Sequence, residues 1–123
     1  MRFGLTLAAG SVALLLSGGA AFAADNLMTG FYGNTVISTG GTVESRTHFK
    51  ADHTFDAVFG GGMFTSKGTW EIRDGQLCRT YDPPLPNIPN PLCVPAEQHK
   101  VGDKWTVTVN GDVRQVSLVA GIQ

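Results

Sequence analysis

The chain has 123 residues, 16 of them glycine, and charged residues make up only 15% of it. This length supports one domain rather than two. The formal net charge of −1 excludes the strongly basic surface typical of nucleic-acid-binding proteins. The apolar fraction of 42% is too high for a disordered chain.

Residues 1–23 have the three parts of a secretory signal peptide. Arg2 lies near the start, an apolar stretch centred on Leu14-Leu15-Leu16 follows, and Ala21-Phe22-Ala23 supplies an A-x-A end. The apolar stretch is too short to span a hydrocarbon core of roughly 30 Å. We therefore predict cleavage after Ala23, a periplasmic or secreted location, and no stable membrane span once the signal peptide is removed.

The remaining residues, 24–123, alternate short β-rich runs with turn residues and show no window of helical periodicity beyond one short turn over 25–32. The predicted strands cover 35–38, 42–50, 54–59, 63–72, 76–81, 97–101, 105–109 and 113–119. Tight turns such as Asn110-Gly111 favour antiparallel pairing of successive strands. The pattern predicts a single all-β domain of about eight short antiparallel strands in a meander. A small up-and-down barrel is the favoured architecture, and a curved open sheet or a sandwich is the alternative.

Two cysteines, Cys78 and Cys93, are the only ones in the chain. An even pair in a small exported domain predicts a disulfide. The spacing lacks the C-x-x-C of redox proteins and the histidine pair of a zinc site. We predict no metal site and no cofactor.

Two stretches of the chain carry a family resemblance. Residues 49–55 read FKADHTF and residues 68–78 read GTWEIRDGQLC. These resemble "F-x-x-D-G-T-F" and "G-T-W-x-I-x-x-G-x-L-C" in small lipocalin-like proteins of the bacterial periplasm, with His53 in place of the turn glycine. The resemblance implies an exported, calycin-like barrel, and because its motifs are hairpin signatures it concerns fold more than function.

A proline-rich loop is predicted over residues 82–95, where six prolines fall within fourteen residues. Proline fixes φ and favours an extended conformation, so such a loop loses little entropy when it binds a partner. Leu85, Ile88 and Leu92 are its candidate partner-binding residues. The alternative is that these three side chains fold back and cap one end of the barrel.

Aromatic residues lie mostly in phase with apolar neighbours along the predicted strands. Inside a barrel they would either fill the core or line a small pocket. The candidate ligand-binding residues are Phe49, Phe55, Phe64, Trp70, Arg79, Tyr81 and Trp105, with Arg79 and Tyr81 expected to orient a polar head group.

The histidines are only weak candidates for a metal site. His48 and His53 flank one turn close to Asp52 and Asp56, but strand phase and turn position predict that both imidazoles are solvated. The Gly60-Gly61-Gly62 run predicts a bulge or hairpin loop, with an anion-binding nest as the alternative. The sequence contains no catalytic motif.

The favoured function is therefore a binding module for a small apolar or amphipathic ligand. One alternative is an interaction or inhibitor module that contacts an envelope protein through the proline-rich loop. A further alternative is a small cyclase or isomerase that uses His48 or His99 as a base. No nucleic-acid partner is expected.

Overall fold

A computed structural model describes residues 26–41 and 43–123, so the predicted signal peptide at 1–23 lies outside the described residues. The described chain begins with a 3-10 helix at Thr29–Phe31, followed by eight strands. The strands are β1 (Thr35–Thr39), β2 (Ser45–Phe49), β3 (Thr54–Phe59), β4 (Phe64–Arg73), β5 (Gln76–Tyr81), β6 (Leu92–Pro95), β7 (Lys104–Val109) and β8 (Asp112–Val119).

All eight strands belong to one antiparallel sheet in the order β6-β5-β4-β3-β2-β1-β8-β7. Strands β1 to β6 pair in succession, and β8 pairs with β1 on one side and with β7 on the other. The result is a nearly closed barrel, which confirms the predicted all-β meander. Strands β6 and β7 are the two ends of this strand order, and they do not pair with each other. We call the gap between them, where the barrel stays open, the seam.

The strand boundaries follow the period-two pattern in most places, and β3 and β5 have the predicted limits. The predicted strand at 97–101 is wrong, because these residues form an irregular segment and a turn between β6 and β7. Four residues of the predicted proline-rich loop, Leu92–Pro95, form β6 instead. Proline lacks a backbone N–H donor, so a proline-terminated strand is tolerated at the edge of a sheet, and β6 lies at such an edge.

The disulfide is confirmed. Cys78 and Cys93 are bonded to each other and lie directly opposite on β5 and β6. The bond fixes the edge strand to its neighbour at the middle of the ladder, beside the seam.

Inward-facing side chains alternate along each strand and fill much of the barrel. Trp70, Phe55, Met28 and Leu118 are among the most deeply buried side chains. Trp70 donates its indole N–H to the Lys50 carbonyl at 2.9 Å, so its one polar group is satisfied.

The two ends of the barrel are closed differently. At one end, here the plug end, the 3-10 helix places Phe31 against Phe49 and Trp105, with ring centroids 5.7 and 6.3 Å apart. A Cβ at Gly30 would overlap the His99 carbonyl oxygen, so glycine allows this segment to pack closely on residues 96–103. The opposite end, here the loop end, carries Gly40 and Gly41 after β1, the turns at 60–63 and 110–111, and the segment 82–91, which we call the proline loop.

Candidate functional site

The barrel encloses a cavity of about 90 Å³. Most of its wall is apolar and comes from strands on all sides except β4. Representative apolar lining residues are Val36, Phe49, Phe59, Leu77, Val107 and Val116. The cavity extends from the plug end, where Met28 and Phe31 line it, to the proline loop.

The proline loop covers part of the cavity at the loop end. Leu85 and Ile88 are half-buried, line the cavity and pack against the core, while Leu92 is buried on β6. The Asn110 side-chain amide donates to the Asn87 carbonyl at 2.7 Å and so connects the loop to the β7–β8 turn. The structure therefore places the three candidate partner-binding side chains inward, as the capping alternative describes.

Two arginines reach the same cavity. Arg79 lies on β5, directly opposite Leu92 of β6, and Arg114 lies on β8, directly opposite Val107 of β7. Each arginine is therefore one strand away from the seam, on opposite sides of it. The Arg79 guanidinium carbon lies 5.8 Å from the centre of the Phe49 ring and 5.7 Å from that of Tyr81, within the range of cation–π attraction.

Neither guanidinium has an acidic partner within the described chain. No carboxylate oxygen of those residues lies within 4.0 Å of Arg79 or Arg114. The Nε atoms of both side chains are shielded from solvent and make no hydrogen bond in the structure. Shielded polar atoms are ordinarily hydrogen-bonded, so two arginine Nε atoms without partners on one cavity are unusual.

The guanidinium of Arg114 lies over Gly41 in the β1–β2 turn. A Cβ at Gly41 would come within 2.9 Å of the Arg114 guanidinium carbon. The absence of a side chain at position 41 therefore gives this guanidinium its space at the loop end.

A third polar group on the cavity is His99. Its ring stacks on Trp105 with centroids 3.5 Å apart, and its Nδ1 lies 3.3 Å from Asp103 Oδ2. Its Nε2 is 3.5 Å from Glu97 Oε1 but makes no hydrogen bond there. A donated hydrogen bond from the Lys100 backbone amide, with a smaller contribution from His99, lowers the pKa of the Asp103 carboxyl. A base at His99 stays a prediction.

The structure brings together four of the seven candidate ligand-binding residues. Phe49, Arg79, Tyr81 and Trp105 line the cavity. Phe55 and Trp70 belong to the packed core beside it, and Phe64 is 45% exposed at the rim, stacked on Phe59.

Arg114 and His99 were not among the predicted ligand-binding residues. The phase of Arg114 with the inward-facing Val116 and Leu118 was the signal that could have identified it.

The predicted solvation of His48 is wrong. The residue is only 7% exposed, because the end of the chain covers it on the outer face of β2. Its Nδ1 lies 2.5 Å from Asp56 Oδ1 and its Nε2 lies 3.2 Å from the Gln123 carbonyl. This group faces away from the cavity, since Asp56 alternates with the inward-facing Phe55 and Ala57.

His53 and the Gly60-Gly61-Gly62 run both lie at turns. His53 is exposed, has φ of 68° and stacks on Trp70 with centroids 4.1 Å apart. Gly60, Gly61 and Gly62 all have positive φ in the β3–β4 turn, as the predicted hairpin loop requires. Among residues 26–41 and 43–123 no group of three or more His, Cys, Asp or Glu side chains is placed to hold a metal ion.

Comparison with family models, curated proteins and solved structures gives no match to this chain. The lipocalin-like resemblance therefore stays a prediction. No helix in the described part of the chain is long and apolar enough to cross a membrane.

Proposed function

We propose that this protein is an exported binding module that holds a small amphipathic molecule inside the barrel. One observation carries the proposal: a cavity with a mainly aliphatic and aromatic wall also contains polar groups that lack protein partners. Ligand sites combine an apolar wall with a few polar groups that orient the ligand, and this cavity has both features.

The size of the cavity limits the ligand. Pockets for drug-sized molecules have volumes of roughly 300–1,000 Å³, whereas this cavity has about 90 Å³. The ligand is therefore small, and a longer one would require Leu85 and Ile88 to move outward with the proline loop. The loop is the element suited to such movement, because it crosses the loop end outside the strand ladders.

Export to the periplasm or the exterior is part of the proposal. The Cys78–Cys93 disulfide is compatible with an oxidising compartment. The composition of residues 1–23 supports the same location.

The test is a pair of matched variants titrated with 1-hexanol and with hexanoate. Val107→Phe adds a ring on the cavity side of β7, whereas Thr106→Phe adds the same ring on the exposed outer face. We expect either probe to shift the indole N–H signal of Trp105, which lines the cavity, in the NMR spectrum of the native protein. The Trp70 signal should change little, because its indole N–H is bonded to Lys50 and its ring lies outside the lining.

Filling the cavity should remove this response. Val107→Phe should weaken binding by about tenfold or more, since the added ring occupies the ligand's volume, and Thr106→Phe should bind as the native protein does. The proposal is overturned if neither probe shifts the Trp105 signal, or if Val107→Phe binds as well as Thr106→Phe.

The protein-contact alternative uses the other face of the proline loop. Its exposed residues include Pro83, Pro84, Pro86 and Pro89, while the leucine and isoleucine of the loop face inward. A partner bound there would contact the exposed prolines rather than Leu85, Ile88 and Leu92. This alternative is the one to pursue if the titration finds no binding inside the barrel.

A further inference from the structure

We infer that the ligand is a small carboxylate whose anionic head group is held by Arg79 and Arg114, with its apolar part in the barrel cavity. This inference rests on the proposed function and specifies the charge of its ligand.

The cavity carries positive charge that the described residues do not neutralise. Arg79 and Arg114 are half-buried, line one cavity and have no carboxylate within 4.0 Å among the described residues. Among the described residues, Glu97 is the one acidic side chain on the lining, and its Oε1 lies 3.5 Å from His99 Nε2. The arginines therefore keep an uncompensated positive charge that an anion would neutralise.

The cavity also offers unused hydrogen-bond donors. The Nε atoms of both arginines are shielded from water and bond to nothing in the structure. Guanidinium groups present paired N–H donors that match the two oxygens of a carboxylate. The hydroxyl groups of Ser38 and Ser45 line the same cavity and add neutral donors for the same head group.

Arg79 and Arg114 come from β5 and β8, on either side of the seam, and the guanidinium of Arg114 lies over Gly41 at the loop end. The aromatic rings of Phe31 and Trp105 lie towards the plug end. A ligand with its carboxylate between the two guanidinium groups and its apolar part against the cavity wall satisfies both sets of groups.

The small size of the cavity and its apolar wall select a monocarboxylate among the possible anions. An inorganic anion would leave the apolar wall without a partner, and a larger polyanion would exceed the cavity of about 90 Å³. A monocarboxylate with a short aliphatic or aromatic group uses both the two guanidinium groups and the wall.

The experiment compares hexanoate with 1-hexanol by calorimetry on the native protein and on four variants. Arg79→Met and Arg114→Met remove one charge each at similar side-chain length. Arg73→Met is the matched control, because Arg73 is exposed on β4 and paired with Glu71. Gly41→Ala keeps both arginines and displaces the Arg114 guanidinium.

We expect the native protein to bind hexanoate at least about tenfold more tightly than 1-hexanol, because hydrogen bonds to charged groups are the stronger ones. Arg79→Met and Arg114→Met should each weaken hexanoate binding roughly 10- to 100-fold and leave 1-hexanol binding within about twofold. Gly41→Ala should weaken hexanoate selectively, and Arg73→Met should change neither affinity. Retained 1-hexanol binding shows that a variant is folded.

The inference is overturned if the native protein binds 1-hexanol as tightly as hexanoate, or if the arginine variants weaken both probes equally. In both cases the proposed binding function would stand without its charge preference. Binding of neither probe would overturn the proposed function itself, so the two failures are distinguishable.

Discussion

At the residue scale, the pair of His48 and Asp56 shows how a polar side chain on an outer strand face can become buried. The C-terminal residues fold across β1 and β2, where the Gln123 backbone N–H donates to Thr35 Oγ1 at 2.9 Å. His48 is enclosed beneath this segment and bonds to Asp56. Partial burial opposes ionisation of Asp56, but hydrogen bonds from His48 and Lys50 outweigh it and hold the pKa of this carboxyl below its ordinary value of 3.8.

This lowered pKa predicts an acid-dependent loss of stability. The folded state favours ionised Asp56, so the contribution is complete above pH 3.8 and is lost as the pH falls through the lowered pKa. We expect the Tm of native protein to exceed that of Asp56→Asn at pH 5.5 and the two Tm curves to converge below pH 3.8.

The control for that measurement is Asp112→Asn, which changes an exposed carboxylate in the β7–β8 turn region. Asp56→Asn should show the larger change in its Tm difference from the native protein over the same pH range. Parallel curves for native protein and Asp56→Asn would contradict the account of this pair.

A second residue shows how the chain tolerates a departure from its turn pattern. His53 has a left-handed φ of 68°, the region that glycine occupies most readily. Its ring stacks on Trp70, which offsets part of the conformational cost. Sequence reasoning could identify the turn at this position but not the stacking, because the partner is seventeen residues away on another strand.

At the element scale, the edge strand β6 depends on its neighbour. It has four residues, pairs only with β5 and ends at a proline. The Cys78–Cys93 bond fixes the register of this pairing. The bond also anchors the strand that follows the proline loop. Leu85 and Ile88 of that loop lie over the cavity.

Removal of the disulfide should therefore destabilise the domain. We expect Cys78→Ala/Cys93→Ala to lose about 3 kcal/mol of unfolding free energy, the chain-entropy value for a loop of this length. Urea denaturation measures the loss, and native protein in reductant is the control that should show the same decrease. A loss below about 1 kcal/mol would show that β6 is held by its backbone pairing and packing without the bond.

The elements that sequence reasoning could predict are those with uninterrupted alternation. Strand β3 was predicted with correct limits, and β7, which alternates throughout, was predicted to within one residue. The prolines of residues 82–95 indicated a loop and concealed β6, whose pairing uses only the short stretch that starts at Leu92. Residues 97–101 were predicted as a strand, but there His99 stacks on Trp105 and Asp103 accepts from the Lys100 backbone N–H at 3.1 Å. These local contacts take the place of a sheet ladder.

The candidate site was predictable in its apolar part and less so in its charged part. Phe49 and Trp105 follow the inward phase and were expected on the wall of the site, and Tyr81 was expected to orient a polar head group. An arginine in an inward position interrupts the alternation of apolar residues. For this reason Arg114 was not predicted to face the cavity. The absence of pairing between β6 and β7 was also not predictable, because strand periodicity carries no information on closure.

At the scale of the whole molecule, the fold combines a barrel closed at the plug end by Phe31, a seam beside β6 and a loop that covers the opposite end. The interior is neither a filled core nor a large lipocalin-type cavity. It is a small apolar chamber with two unpaired guanidinium groups. Both arginines are half-buried, and their shielded Nε atoms lack hydrogen bonds, so a ligand that pairs with these guanidinium groups would stabilise the folded protein on binding.

The most direct test of this account is the location of bound hexanoate by intermolecular nuclear Overhauser effects to methyl-labelled protein. The account predicts contacts from the aliphatic chain of the ligand to the methyl groups of Val107, Val116 and Leu85 on the cavity wall. Contacts confined to exposed methyl groups such as those of Met63, Val113 and Ile122 would place the ligand outside the barrel and contradict it.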